Sequence, residues 1–460
     1  MSQPKERTDV RIQQERAVLA AVHLPDSVFD ERDPLGELRA LAETAGAVAV
    51  GEITQRKQKP EAGTYMGRGK LQELKAVCDE LDAGVVIFDH ELAPKQIANI
   101  EEIVERKVLD RSELILDIFA NRATTHQARL QVELAQLEYT YPRLRAMWSH
   151  LERIVGSGGI GGVGTRGPGE QQLEIDRRLV QKRRTQLRRE LAEIQARKSR
   201  EVSSRNVDHF TVGLVGYTNA GKSTLFNSLT AGGAHANDQL FATLMTRTRE
   251  WNLGGGLNVM LSDTVGFVRD LPHNLVASFK ATLEEATHAD LLLVILDVAD
   301  PAAKLQFDTV NQTLDEIFED VAKRTPKDAP PFVPPQRLLL LNKVDELHDN
   351  AKILTWQQDH PDAIPFCALH SNPIGHDELI RIVSERSKGE VRERRVRLPL
   401  SDAKAIDMIE KRTEVLDRDY GDGTVTMHTR IGDRQIHRLR SMGAKLEVIE
   451  DEPAEEPRWS

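Results

Sequence analysis

One segment near the middle of the chain restricts the possible folds more than any other. Residues 210–229, FTVGLVGYTNAGKSTLFNSL, run from an apolar strand through a turn bounded by glycines into a helical pattern. Such glycines let backbone N–H groups approach phosphate oxygens, and the helix N-terminus adds partial positive charge. The segment therefore predicts a phosphate-binding loop in an α/β domain. Its predicted phosphate-binding residues are Gly216, Tyr217, Thr218, Asn219, Ala220, Gly221, Lys222, Ser223 and Thr224.

Two side chains of this loop and a later strand predict a magnesium site. Lys222 is expected to reach the β and γ phosphate oxygens, and Ser223 to offer its hydroxyl to Mg²⁺. The apolar strand VMLSDTVGF (259–267) ends in Asp263, which is expected to be a second Mg²⁺ ligand. Gly266, three residues later, is the expected sensor of the γ-phosphate.

A third apolar strand with a polar end predicts the base that is bound. QRLLLLNKVDEL (336–347) contains Asp345 just after the strand, and IPFCAL follows it in the chain. A carboxylate can accept both the N1–H and the N2 amino hydrogens of guanine, a pair that adenine does not offer. We therefore predict GTP and GDP as ligands, because all three motifs follow strands in order. The predicted guanine-binding residues are Asn342, Lys343, Asp345, Cys367, Ala368 and Leu369.

The segment DQLFATLMTRTREW (238–251) lies between the first two motifs and is predicted to be the switch loop. Three threonines compete to supply a hydroxyl to Mg²⁺, and we choose Thr243 over Thr246 and Thr248. The predicted metal ligands are thus Ser223, Thr243 and Asp263, and the predicted catalytic residues are Lys222, Thr243 and Gly266. The predicted switch residues are Phe241, Ala242, Thr243, Leu244, Met245, Asp263, Thr264, Val265 and Gly266.

Apolar periodicity predicts the rest of the architecture. Before residue 128, Val- and Ala-rich strands alternate with helical patterns, which favours right-handed crossovers and a parallel sheet. From Leu130 to Val155, apolar residues recur at spacings of three and four, and a second stripe runs from Leu173 to Ile194. Two such stripes predict an antiparallel helical hairpin, which Pro142 is expected to kink. Beyond residue 390, the order β-α-β-β-α-β predicts a ferredoxin-like domain.

The hairpin carries an unusual concentration of positive charge. Residues 177–205 contain eleven basic and three acidic side chains, although the whole chain has a net charge of −10. Residues 156–169, GSGGIGGVGTRGPG, form a glycine-rich tip. A solvated helix face would explain the charge, but self-repulsion favours a polyanionic partner, and nucleic acid, either RNA or DNA, is the candidate that we prefer. The predicted RNA-binding residues are Arg166, Arg177, Arg178, Arg183 and Arg184.

Length and composition limit the class of protein. The 460 residues predict about three domains or more, and two cysteines exclude a disulfide framework. The charged start and the short apolar runs predict no export and no membrane insertion. We expect a monomer in the cytoplasm. The predicted domains are an α/β domain at 1–128, the hairpin at 129–207, a GTP-binding domain at 208–389, the ferredoxin-like domain at 390–450 and an acidic tail at 451–460.

The motifs together resemble the HflX family of translational GTPases. The resemblance is carried by LQVELAQLEYTYPRL, RGPGEQQLEIDRRL, GYTNAGKSTLFN, FATL, DTVGF and NKVD, and it extends along nearly the whole chain. It implies a cytosolic GTPase that binds the large (50S) ribosomal subunit and its rRNA, with roles in splitting or rescuing stalled ribosomes or in ribosome biogenesis. Met245 stands where the family usually has Asp, and Cys367 where it usually has Ser.

The residue after the DTVG motif bears on catalysis. Many GTPases place a water-orienting Gln there, but this chain has Phe267, so unaided hydrolysis is expected to be slow. In an HflX-like protein, the ribosome would supply the missing group. Some related GTPases without the Gln use an Asn in the phosphate loop to coordinate K⁺, which makes Asn219 a candidate potassium ligand. The alternative is that Asn219 hydrogen-bonds within its own loop.

Two other functions fit parts of the sequence. One is an RNA-remodelling enzyme driven by ATP as well as GTP, which Asp345 argues against because adenine would leave this carboxylate unpaired. The other is a scaffold that binds the ribosome and uses GTP only as a conformational latch, which Phe267 also fits.

Overall fold

In the residues that it describes, the computed structural model has three β-sheets with helices packed on them, and it confirms the predicted fold class. It describes residues 15–25, 27, 29–156, 178–197, 210–230, 241, 246–254, 257–269, 286–325, 332–369, 373–389, 391–421, 423–441 and 443–449. Several predictions lie outside these residues: most of the glycine-rich tip, Arg166, Arg177, residues 242–245 of the switch loop and the acidic tail.

The first sheet is parallel and has the strand order β2-β1-β3-β4. Apolar strands alternate with amphipathic helices, so the helices cover the sheet and bury Val18, Val86 and Phe88. The strands are β1 Arg16–His23, β2 Val48–Arg56, β3 Val85–Phe88 and β4 Lys107–Asp110. The helices are α1 Gly36–Thr44, α2 Arg68–Glu80, α3 Pro94–Val104 and α4 Arg111–Arg122.

The two stripes of apolar residues form the predicted helical hairpin. Helix α5 spans His126–Gly156, and helix α6 spans residues 178–197. Leucines of both helices pack into one seam, formed by Leu130, Leu134, Leu187 and Leu191. The helices are antiparallel, because His126 pairs with Glu190 and Glu133 with Arg183. Helix α5 continues through Pro142, so the proline does not interrupt it.

The second sheet has six strands in the order β10-β9-β8-β5-β7-β6, and only β6 is antiparallel to its neighbour. Its central strands β5, β8 and β9 are apolar on both faces, and a separate core lies on each side of the sheet. The strands are β5 Thr211–Gly216, β6 Arg247–Asn252, β7 Asn258–Asp263, β8 Leu291–Asp297, β9 Gln336–Asn342 and β10 Ile364–Pro365. The helices are α7 Lys222–Leu229, α8 Ala303–Arg324, α9 Ala351–Asp359 and α10 His376–Lys388, with a 3₁₀ turn at Val344–Glu346.

The third sheet is antiparallel and has the order β12-β13-β11-β14. This is the strand order of a split β-α-β unit. Its strands are β11 Val391–Pro399, β12 Glu414–Gly421, β13 Thr424–Gly432 and β14 Glu447–Ile449. Helices α11 Ala403–Arg412 and α12 Asp433–Ser441 cover one face and bury Val396, Met427 and Ile436.

The chain divides into two compact units, each built from three chain segments. The first comprises Met1–Ile194, Asp238–Leu244 and Val268–Ala281, and the second comprises Gln195–Asn237, Met245–Phe267 and Thr282–Ser460. Among the residues that the structure describes, no helix is long and apolar enough to span a membrane.

A buried charge cluster lies within the first unit. Arg111 is only 1% exposed, and its guanidinium pairs with Asp89 at 2.5 Å and with Glu37 at 2.9 Å. The same guanidinium donates to the backbone carbonyl of Arg269, whose side chain pairs with Asp89 at 2.7 Å. In the same unit, Phe241 of the switch loop packs edge-on against Phe119. Residues far apart in the chain thus pack together in the first unit.

Candidate nucleotide-binding site

Four strands of the second sheet each end in a glycine or a polar residue at the same edge of the sheet. Strand β5 ends at Gly216, β7 at Asp263, β8 at Asp297 and β9 at Asn342. These strands are parallel neighbours, so their carboxyl ends meet at the same edge of the sheet. Ligands of open α/β sheets bind at such an edge.

Close backbone approaches explain the glycines of the predicted phosphate loop. A Cβ atom at Gly216 would overlap the carbonyl oxygen of Ile295, and one at Gly221 would overlap the amide of Asn342. Gly221 also has a φ of +97°, which favours glycine. The loop therefore passes close to the carboxyl ends of β8 and β9, and helix α7 begins at Lys222.

The DTVG segment lies against this loop. The Thr218 N–H donates to the Phe267 carbonyl at 2.8 Å, and the Phe267 N–H donates to the Gly216 carbonyl at 3.0 Å. Gly266 approaches so closely that a Cβ there would lie 2.9 Å from Lys222 Nζ. The structure thus brings together two motifs that lie about 40 residues apart in the chain.

Lys222 is buried and hydrogen-bonded within its own loop. Its ammonium donates to the Tyr217 carbonyl at 2.6 Å. Burial lowers the pKa of Lys222 from 10.5 to about 8, and the nearby Asp263 carboxylate opposes this shift. A buried ammonium with a single carbonyl acceptor has capacity for further hydrogen bonds to an anion.

The predicted Mg²⁺ ligands that the structure describes are adjacent. Ser223 Oγ donates to Asp263 Oδ2 at 2.9 Å, so a hydroxyl and a carboxylate lie side by side. Hard oxygen ligands of this kind fit Mg²⁺, which usually takes one or two carboxylates plus phosphate oxygens and water. Thr264 is fully buried, and its hydroxyl donates to the Leu214 carbonyl. Thr243 lies outside the described residues.

Asn342 joins the phosphate loop to the predicted guanine loop. Its side-chain amide donates to the Ala220 carbonyl at 2.7 Å, and its side-chain oxygen accepts from the Ala368 N–H at 3.0 Å. Asn342 is 2% exposed, so both contacts are shielded from water. One side chain thus fixes the distance between the two loops.

Asp345 is exposed in the 3₁₀ turn, and Cys367 of the predicted guanine loop lies close to it. Burial raises the pKa of the Cys367 thiol, and a hydrogen bond to the Asp345 carboxylate acts in the same direction. His376 Nε2 lies 3.0 Å from the Cys367 carbonyl, and its ring stacks on Phe366. Ala368 is buried, whereas Leu369 is about half exposed.

His376 and Asp297 are not among the residues predicted from the sequence. No local pattern distinguishes His376 from any histidine at the start of a helix. Asp297, in contrast, has a detectable signal, because it ends the buried strand LLLVILD as Asp263 and Asn342 end theirs. Asp297 pairs with Lys343 at 2.6 Å.

Part of the basic charge of the hairpin is neutralised within the hairpin itself. Arg183 forms two hydrogen bonds with Glu133, at 2.6 and 2.7 Å. Arg184 and Arg188 both pair with Glu138. The positive charge available to an external partner is therefore smaller than the sequence count indicates.

Comparisons with known proteins match most of the chain. The sequence matches the family model described as GTP-binding GTPase N-terminal over residues 32–120 and the GTP-binding GTPase Middle Region over residues 122–205. It matches the model described as 50S ribosome-binding GTPase over residues 211–343. The GTPase HflX of Escherichia coli K12 is 41% identical over 387 residues, which cover 84% of this chain and 86% of that protein. This chain belongs to the HflX family.

A second relative extends the match over almost the full length. The GTPase HflX of Caldanaerobacter subterraneus subsp. tengcongensis is 37% identical over 428 residues, which are 93% of each chain. As a member of the HflX family, the protein is a ribosome-associated GTPase that converts GTP to GDP and phosphate.

Solved structures are less similar. A crystal structure of SsGBP in complex with GDP is 24% identical in sequence to this chain and has a TM-score of 0.44. The match covers 81% of this chain and 98% of the SsGBP chain. A GTP-binding protein from Sulfolobus solfataricus with GDP has a TM-score of 0.41 at 23% identity, with coverage of 81% and 99%. The family assignment therefore depends on the sequence matches.

Proposed function

We propose that GTP binds along the carboxyl edge of the second sheet, with its phosphates in the loop Gly216–Thr224 and its base between Lys343, Asp345 and the 367–369 loop. The observation that carries this proposal is the pair of hydrogen bonds by which Asn342 joins Ala220 to Ala368. Because of these bonds, the phosphate loop and the base loop form one continuous site. Lys222 would neutralise phosphate charge, and Gly266 would let the γ-phosphate approach.

Ser223 and Asp263 would hold Mg²⁺ beside the phosphates, and Thr243 remains our prediction for the third protein ligand. When bound, the ion neutralises charge on the β and γ phosphate oxygens. The chain itself binds and orients the nucleotide. Phe267 provides no hydrogen bond to an attacking water molecule, so we propose that the ribosome supplies the missing group. We also propose that Asn219 coordinates K⁺.

The guanine assignment is tested by replacing Asp345 with Asn. The amide cannot accept two hydrogens from guanine, so GDP affinity should fall by about 10²-fold or more. The Asn amide can instead donate to the 2-oxo group of xanthine, so affinity for XDP should rise. Calorimetry should measure the affinities for GDP, XDP and ADP in Asp345→Asn and in the neighbouring control Glu346→Gln. Unchanged preference for GDP over XDP and ADP would refute the assignment.

At the level of the cell, we propose that the protein is a cytoplasmic monomer that binds the large ribosomal subunit and its rRNA in the GTP state. It would split or rescue stalled ribosomes or act in ribosome biogenesis. The exposed basic side chains of α6, such as Arg178 and Lys182, support an rRNA contact.

Sedimentation tests whether the protein binds ribosomes and distinguishes splitting from a role in biogenesis. Purified 70S ribosomes or 50S subunits are centrifuged with the protein in GTP, GDP or a non-hydrolysable GTP analogue. Splitting predicts that 70S particles separate into subunits in GTP or the analogue but not in GDP. Binding to 50S without loss of 70S would favour biogenesis or the scaffold function, and equal binding in all three nucleotides would contradict a GTP-controlled role.

A further inference from the structure

Asp297 is placed to act on the base site through Lys343. It ends strand β8, next to β9, and is 8% exposed. Its Oδ1 accepts the backbone N–H groups of Ala299 at 3.0 Å and of Asp300 at 3.2 Å. Its Oδ2 lies 2.6 Å from the ammonium of Lys343. The carboxylate thus has one oxygen for the turn and one for the lysine.

The backbone holds the two residues at adjacent strand ends. In the parallel register, Asp297 lies opposite Asn342, and the Val298 N–H donates to the Asn342 carbonyl at 3.1 Å. Lys343 then adopts a left-handed conformation with a φ of +61°. Such a conformation is unfavourable for a residue with a Cβ atom, so the surrounding contacts must stabilise it.

A lysine side chain loses considerable conformational freedom when it is held in one place. Its stem is apolar and can cover the face of an aromatic ring while the ammonium stays polar. Lys343 is two residues from Asp345, which is proposed to bind the edge of the guanine. An ammonium that is already anchored would lower the entropic cost of placing the stem against the base.

We propose that Asp297 is a positioning residue of the guanine site, which holds the Lys343 ammonium so that the lysine stem covers one face of the base. This inference rests on the proposed guanine site. Asp297 itself does not contact the nucleotide. Its effect is expected to be equal for GDP and GTP, because both carry the same base.

The alternative is that Asp297 only stabilises the turn after β8, and Asp297→Asn distinguishes the two. Asn keeps an oxygen that accepts the N–H groups of Ala299 and Asp300, but its amide cannot pair with an ammonium. We expect GDP and GTP affinities to fall about fivefold to twentyfold. The melting temperature of the nucleotide-free protein should stay nearly unchanged. Asp300→Asn is the control, because Asp300 lies in the same turn and bonds Ala302 and Gln306.

A double-mutant cycle completes the test. GDP affinity is measured by calorimetry for the wild type, Asp297→Asn, Lys343→Met and the double variant. If Asp297 acts through Lys343, Asp297→Asn causes no further loss in the Lys343→Met background. The same loss in both backgrounds, or no loss in either, would overturn the inference. If Asp345→Asn and Lys343→Met both leave GDP affinity unchanged, the proposed guanine site fails as well.

Discussion

At the scale of single residues, Phe267 is the most consequential departure from the usual GTPase pattern. Its side chain is 1% exposed and packs in a core with Val215, Leu292 and Val294. The position that carries a water-orienting glutamine in many GTPases therefore points into the apolar interior here. The residue stabilises the domain, and hydrolysis must obtain its polar group from elsewhere.

Restoring the glutamine should therefore not restore catalysis. In Phe267→Gln, a polar amide replaces a buried ring, and we expect a loss of about 3 kcal/mol in the free energy of unfolding with no gain in GTP hydrolysis. The conservative variant Phe267→Leu should lose about 1 kcal/mol. Denaturant unfolding and phosphate release measure the two effects. Faster hydrolysis in a fully stable Phe267→Gln protein would contradict the structural assignment of this ring.

Asn219 carries the second prediction at this scale. Its φ of +62° is left-handed, a conformation that Asn tolerates better than most residues. If its side chain coordinates K⁺, a cation there would offset the negative charge that develops between the β and γ phosphates. Hydrolysis should then be faster in K⁺ than in Na⁺ at equal ionic strength. In Asn219→Ala, this difference should disappear while GDP binding remains. Equal rates in the two salts, with and without ribosomes, would show that Asn219 serves only its own loop.

At the scale of elements, the hairpin combines two kinds of basic residue. Arg183 and Arg188 pair with glutamates of α5 and join the two helices, whereas Lys182 is exposed on α6. The first kind contributes to holding the hairpin together. The second kind is better placed to contact a phosphate backbone.

The two kinds should respond differently to charge reversal. Lys182→Glu should weaken 50S binding, most strongly at low salt, and change hairpin stability by no more than about 0.5 kcal/mol. Arg183→Glu places like charges next to Glu133 and should also lower hairpin stability. Sedimentation at two salt concentrations and circular dichroism distinguish these effects. Unchanged 50S affinity at low salt in the Lys182→Glu variant would show that this surface is only a solvated helix face.

At the scale of the whole molecule, the first compact unit includes residues from three segments of the chain. The buried cluster of Arg111, Asp89, Glu37 and Arg269 lies within it. A buried charge network is costly to break, because removing one member leaves its partners desolvated.

Arg111→Met should therefore strongly destabilise the first unit. The variant leaves Asp89 and Glu37 with Arg269 as the remaining guanidinium of the cluster, and we expect a loss of about 3 to 5 kcal/mol. Lys75→Met is the matched control, because Lys75 pairs with Glu105 near the surface and should cost about 1 kcal/mol or less. Hydrogen exchange of β1 and β3 amides measures both. Equal protection in the two variants would show that the buried cluster contributes little.

The sequence alone determined the local chemistry of this protein. Apolar strands that end in Asp263 or Asn342, and a glycine-bounded loop before a helix, predict where phosphate, metal and guanine contacts form. This is possible because the parallel order of the strands brings their ends to one edge. The heptad spacing likewise predicted the hairpin seam at Leu130 and Leu187, since helical periodicity depends only on neighbouring positions.

Only the tertiary structure decided which charged groups meet. Asp297 and Lys343 pair because β8 and β9 are neighbours in the sheet, and the sequence contains many other carboxylates within the same range of the chain. Tertiary packing likewise brings Arg269 to Asp89 and Arg183 to Glu133. Periodicity shows which face of an element is buried, but it does not show which element lies opposite. The partner of a buried charge is therefore set by strand order and helix register, which depend on the packing of the whole domain.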